Sequence, residues 1–129
     1  MSPLLNLPNL KCIPLVLKLP QVGYANINVE ILENRLRLDS KYHNNWLDFV
    51  VTIDGELNVG KGHYRLAQKA TSIFMAGELM VDTEGIIINI NNNSGHYQPS
   101  SSSFLKFIEC LAEYYSILDS QITMEIIQW

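Results

Sequence analysis

Two of the three histidines stand in the same three-letter context, Gly62-His63-Tyr64 within GKGHYRLA and Gly95-His96-Tyr97 within NNNSGHYQPSSSS. An imidazole ionises near neutrality and a phenol both donates and accepts hydrogen bonds, so each triplet carries groups suited to proton transfer or recognition. If His96 and His63 converged with Tyr97, Tyr64 and Glu78, one imidazole would take a proton and the other return it, as in general acid–base catalysis. The competing reading is structural: His96 and Tyr97 bond loop main chain and pin the loop to the rest of the domain. Ser94 is a poor nucleophile candidate, because S-G-H lacks the G-x-S-x-G elbow and the serines beyond it read as helix-start residues. The histidine spacing fits no zinc pattern, so neither a metal nor a cofactor is expected.

The duplicated letters invite a test for internal repetition. GELNV from Gly55 and GELMV from Gly77 are near copies, yet the step from GEL to GHY is seven residues in the first case and eighteen in the second. A tandem repeat keeps its period, so two turns spelled alike is the simpler explanation.

The elements that must position these residues are legible from pattern. Ile27, Val29 and Ile31 alternate with Asn26, Asn28 and Glu30, the period of a half-buried strand, and Leu36 and Leu38 resume it after a polar turn at Glu33 to Arg35. Residues 40–45 read as a loop. In LDFVVTIDGELNVG, Asp54-Gly55 is a two-residue hairpin signal. That turn predicts Val50, Thr52, Leu57 and Val59 on one face, and Phe49, Val51 and Ile53 with Glu56, Asn58 and Gly60 on the other. A second hairpin is expected in GELMVDTEGIIININ, turning at Asp82 to Gly85 with Leu79, Val81, Ile86, Ile88 and Ile90 as apolar positions. YRLAQKATSIF reads as irregular structure containing a turn of helix.

The loop from Asn91 to Ser103 is long enough to be functional. Gly95 there suits a tight bend, and Pro99 is expected to hold Gln98 extended. Phe104, Phe107, Ile108, Leu111 and Tyr115 then recur at helical spacing behind a serine N-cap. QITMEIIQW alternates as a terminal strand returning to the sheet, with Trp129 placed to cap the sheet or meet a partner. The sum is an α+β fold: an antiparallel β-sheet of about six to eight strands packed against one α-helix in the C-terminal half.

Length and charge bound the function. The 129 residues suit a single domain, 1–129, able to bury its own core. A formal charge of −4 repels a phosphate backbone, so no nucleic-acid partner is expected. Residues 1–20 are apolar, but Pro3, Pro8, Pro14 and Pro20 interrupt them before they could span a bilayer, and no Lys or Arg precedes them as in a signal peptide. They read as an extended N-terminal arm or edge strand that could also cover a partner subunit, giving a homo-oligomer. Cys12 and Cys110, the two cysteines, lack metal-ligand spacing and are expected reduced, in a cytoplasmic setting.

One resemblance rests on specific residues. From Asp48 to about Tyr115 the chain resembles a domain in the C-terminal half of plant and fungal IQ-motif calmodulin-binding proteins and of assorted bacterial proteins. The matching features are Leu57-x-Val59-Gly60-Lys61, Ala76-Gly77-x-Leu79-x-Val81, then Ser94-Gly95-His96-Tyr97-x-Pro99 and a helix carrying Phe104 and Leu111. About half the chain is covered, and the IQ motif itself is absent, so calmodulin binding is not carried over. The resemblance implies a shared fold and a privileged loop, with Ser94, Gly95, His96, Tyr97, Pro99 and Lys61 as the binding set.

Two classes of function follow. The first is a small protein-interaction domain of bacterial type, with an immunity-type protein that neutralises a toxin as its sharpest form, since an acidic surface steers onto a basic enzyme cleft. The second is a small enzyme or toxin effector using His96 and His63 as acid and base.

Overall fold

The computed structural model describes residues 16–17, 27, 29–32, 35–114 and 122–129. In chain order the elements are β1 (Val16–Leu17), β2 (Val29–Leu32), β3 (Arg35–Leu38), a 3-10 turn (Ser40–Tyr42), β4 (Leu47–Val51), β5 (Glu56–Gly60), α1 (His63–Leu66), β6 (Met75–Val81), β7 (Ile87–Asn91), α2 (Ser101–Tyr114) and β8 (Thr123–Glu125). Six strands form one sheet in the order β1-β5-β4-β6-β7-β8, and β2 and β3 form a separate two-stranded ladder. The fold is therefore α+β, as the patterning predicts. Of the N-terminal arm only Val16 and Leu17 fall within the described residues, where they pair along β5 as an edge strand. Its proposed contact with a partner subunit lies outside them.

Both central hairpins turn where glycine predicts, the second over Asp82 to Gly85 as expected, but the first loop holds three residues rather than the two expected at Asp54-Gly55. Thr52 N donates to Glu56 O and Gly55 N to Thr52 O; Asp82 N likewise donates to Ile86 O and Gly85 N to Asp82 O. The third loop residue is left-handed in both, Gly55 at φ 88° and Gly85 at φ 82°, the geometry of a turn closed by a glycine bulge. One extra loop residue slips the pairing by one and exchanges the faces. Phe49 lies opposite Val59 and Val51 opposite Leu57, while Val50 lies opposite Asn58. This corrects the expected register, because Phe49, Val51, Leu57 and Val59 share the core face. In the second hairpin a bulge between Met80 and Val81 shifts the register again, so Ile87 and Ile90 go inside while Ile86 and Ile88 stay half-buried.

The larger core gathers on that face. Phe104, Phe107, Ile108 and Leu111 of α2 pack there with Phe49, Val59, Met75 and Leu79, and with Val29, Leu36 and Leu38 of the small ladder. The helix starts as expected, Ser103 N donating to Ser100 Oγ at 3.1 Å. Phe49 and Phe107 stack with ring centroids 5.7 Å apart. The opposite face carries a smaller cluster of Val50, Leu66, Ala67 and Ala76, covered by α1 and partly by Tyr97.

The sheet is antiparallel only in its middle. β1 runs parallel to β5, and β8 parallel to β7. For β8 the cause is visible, because α2 carries the chain from β7 back along the sheet, and a helical crossover returns a strand parallel. The two GEL segments occupy unlike places: Gly55 is a turn residue, whereas Gly77 sits within β6 opposite Phe49. The two GEL segments are therefore not structural repeats of one another.

Candidate functional site

The two Gly-His-Tyr triplets meet on the α1 side of the sheet, in different roles. His63 opens α1 with its ring turned to the sheet, Nε2 lying 2.7 Å from Gly77 O. A carbonyl only accepts, so Nε2 carries the proton and is committed to main chain. Asp48 Oδ1 lies 3.8 Å from the same nitrogen, and Asp48 Oδ2 accepts from Gly62 N at 2.8 Å. Asp48 thus fixes the start of α1 and faces its first ring. Sequence reading passed over it, although a carboxylate alternating with Leu47 and Phe49 in an apolar strand was a signal for a buried partner.

Glu78 stands directly opposite Asp48 across β4 and β6. Like charges so placed repel unless each is compensated. Glu78 Oε1 accepts from Asn91 Nδ2 at 3.2 Å and from Asn93 Nδ2 at 3.1 Å. Asn91 Oδ1 in turn accepts from Glu78 N and Asn93 N, each at 2.9 Å. The carboxylate expected near a catalytic centre is instead the hub of a network that starts the 93–99 loop.

That loop is closed on itself. Ser94 is buried, its Oγ accepting from Tyr97 N at 3.2 Å and its carbonyl from Gln98 N at 2.7 Å. The bend falls on Gln98, which is left-handed at φ 47° rather than extended as Pro99 led us to expect. The Ser94 carbonyl contact closes the turn and outweighs the preference of a pre-proline residue. Gly95 is not required by the bend: it has no positive φ, and a Cβ there would meet nothing within 4 Å. Gly95→Ala should therefore change stability by no more than about 0.5 kcal/mol in chemical denaturation.

Tyr97 anchors the loop to the segment after α1, its hydroxyl donating to Ala70 O at 2.5 Å. Burial, then the neighbouring Tyr64 phenol, pushes the Tyr97 hydroxyl above the ordinary phenol range. The folded state therefore favours the neutral ring. That contribution is complete below the unfolded value of about pH 10 and is lost as pH rises through the higher folded value. Tyr97→Phe should cost about 1 kcal/mol at neutral pH, from the lost hydrogen bond. It should also flatten the fall in stability above about pH 10, measured by urea denaturation across the alkaline range.

His96 lies exposed between two rings. Its centroid is 4.9 Å from Tyr64 and 4.6 Å from Tyr97, the latter edge-on at 81°. Tyr64 is itself 42% exposed. Of the residues singled out by sequence, Tyr64, His96 and Tyr97 form one surface, Ser94 lies buried in the same loop, His63 turns its ring to the sheet, and Glu78 is held by Asn91 and Asn93. Pro99 lies at its margin, its carbonyl accepting from Asn92 Nδ2 at 3.0 Å. Lys61 belongs elsewhere, donating to Trp46 O at 2.6 Å beside a cleft of about 440 Å³ lined by Ile27, Tyr42, Asn45 and Trp46.

No protein-family model, curated protein or solved structure matches the chain. What the site does must be argued from its own geometry. Among the described residues no three His, Cys, Asp or Glu side chains gather so as to hold a metal ion, and no helix is long and apolar enough to cross a membrane. Cys110 is disulfide-bonded, which corrects the expectation of a reduced thiol there; Cys12, the other cysteine of the sequence, lies outside the described residues.

Proposed function

We propose that this chain is a small protein-interaction domain of bacterial type that docks a protein partner on the surface made by Tyr64, His96 and Tyr97. The observation that carries this reading is the meeting of the two triplets through exposed rings, Tyr64 on His96 at 4.9 Å, while the polar groups beneath are tied to main chain. Exposed aromatic groups on a fixed backbone lose little entropy on binding and supply much contact area, which is why Tyr is frequent at binding hot spots. The resemblance to the C-terminal domain of IQ-motif proteins supports the same loop as the privileged element. An immunity-type role, in which the chain covers a basic toxin cleft, is the form of this reading favoured by the formal charge of −4.

Geometry favours contact over catalysis. An acid–base pair would need both imidazoles free to reach one bound substrate, and the Nε2 of His63 is occupied by Gly77 O. For the place of action, a cytoplasmic setting fits less well than an oxidising one, because disulfides are rare where thiols are kept reduced.

His96→Ala tests the reading. The ring is exposed and held by ring contacts, so stability should stay within about 0.5 kcal/mol of wild type. Affinity for the one stoichiometric protein retained by the intact chain from its native host should fall at least about tenfold, the effect of losing a hot-spot residue. Equal affinity at equal stability would remove this surface as the contact. Loss of turnover of a consumed small molecule, with no protein retained, would favour the enzyme.

A further inference from the structure

The carboxy-terminal strand is held in an unusual way. β8 pairs parallel to β7 with Asn89 opposite Thr123, Ile90 opposite Met124 and Asn91 opposite Glu125. All three of its residues are exposed, and beyond it Ile126 is 42% and Trp129 47% exposed. Little apolar surface is gained by docking it, so the attachment rests on hydrogen bonds.

One side chain supplies most of them beyond the strand. Asn92 is fully buried, and where the β7 ladder ends its amide acts as one more peptide group. Asn92 Oδ1 accepts from Ile127 N at 2.7 Å, and Asn92 Nδ2 donates to Ile127 O at 3.0 Å. The indole Nε1 of Trp129 donates to Asn92 O at 3.0 Å, fixing the register. The same Nδ2 also reaches Pro99 O, which holds the amide plane in position. Buried polar groups of this kind are costly if left unmade, so the slot strongly favours being filled by an extended chain.

Such a site reads main chain rather than side chains, apart from one indole two residues beyond the clamped position. Any segment of that form satisfies it, and the same segment of another molecule satisfies it identically. We propose that the β7 edge and Asn92 form a strand-accepting slot, filled in cis by residues 123–129 and able to take the same residues from a second copy of this chain. Exchange keeps every hydrogen bond and gives a strand-swapped dimer. The inference is independent of the surface formed by Tyr64 and His96.

Two complementary full-length variants test it. Ile127→Pro removes the N–H that Asn92 Oδ1 accepts, leaving an intact slot with a tail that cannot fill it. Asn92→Ala leaves an intact tail with no clamp. Each alone should sediment as a monomer, and an equimolar mixture should form a one-to-one heterodimer. If both variants are folded by near-UV circular dichroism and the mixture stays monomeric, the proposal is overturned. Should either variant fail to fold, the wild-type chain titrated with a synthetic peptide of residues 122–129 decides. A tethered tail competes at an effective concentration in the millimolar range, so unlabelled peptide above about 1 mM should displace the tail of a labelled chain and shift its Trp129 indole N–H resonance saturably. The peptide carrying Trp129→Ala should bind at least about tenfold more weakly. An unshifted indole resonance throughout the titration overturns the slot.

Discussion

Gly77→Ala is expected to cost about 4 kcal/mol or more, enough to unfold a domain of ordinary stability under mild denaturant. The cause is space rather than backbone conformation. A Cβ on Gly77 would lie 1.9 Å from Asn91 O, 2.8 Å from Asn91 C and 3.0 Å from Asn92 Cα. These are main-chain atoms of the adjoining strand, so no rotamer change relieves the overlap, and β6 and β7 must part. Three features depend on that junction. Gly77 O accepts from His63, Asn91 organises Glu78, and Asn92 holds the terminal strand. The urea midpoint should fall steeply for Gly77→Ala and stay in place for Gly95→Ala, although both replace glycine by the same residue. A Gly77→Ala midpoint within error of wild type would mean that the strands do not approach this closely.

Phe107→Ala should destabilise by about 3–5 kcal/mol, the range for emptying a buried aromatic site. Phe107 is 1% exposed and lies where α2 meets the sheet. Its ring stacks on Phe49 at 5.7 Å, meets Phe74 edge-on at 6.4 Å and lies 6.5 Å from Phe104. Removing it leaves a hole bordered by three rings that cannot all move inward, so the loss belongs at the upper end of that range. Phe107→Leu should recover more than half of it, because most of the volume is restored. Thermal and urea unfolding of the two variants measure both effects.

The parts of the fold set by periodicity were open to reading. The 3.6-residue spacing of Phe104, Phe107, Ile108 and Leu111 marks α2, and the glycines at 55 and 85 mark both turns. Register was not legible, since loops of two and three residues share the same Asp-Gly spelling while differing by one position in pairing. The parallel edges escaped as well, because pairing between remote segments leaves no local pattern, and the direction of β8 depends on where α2 sends the chain. Within the site, the matched triplets rightly drew notice to Tyr64, His96 and Tyr97. Their division of labour was hidden: identical letters place one histidine against a carbonyl and the other between rings. The run Asn91-Asn92-Asn93 looks like a solvated loop, yet Asn91 and Asn93 serve Glu78 while Asn92 serves the terminus. A side-chain amide that replaces a peptide group has the same composition as one bathed in water.

The order of strands also has a kinetic consequence. β4 to β7 lie side by side and pair with partners close in the chain, β5 and β6 flanking β4, whereas β1 and β8 join from remote parts of the chain. Closing a long loop costs entropy before any contact repays it, so these four strands should collapse first and the outermost ribbons should zip on last. During translation the landing place beside β7 then exists before its own ribbon has left the ribosome. At that moment a neighbour on the same messenger whose ribbon has already emerged could lend the missing piece, long before the proteins are dilute and separate.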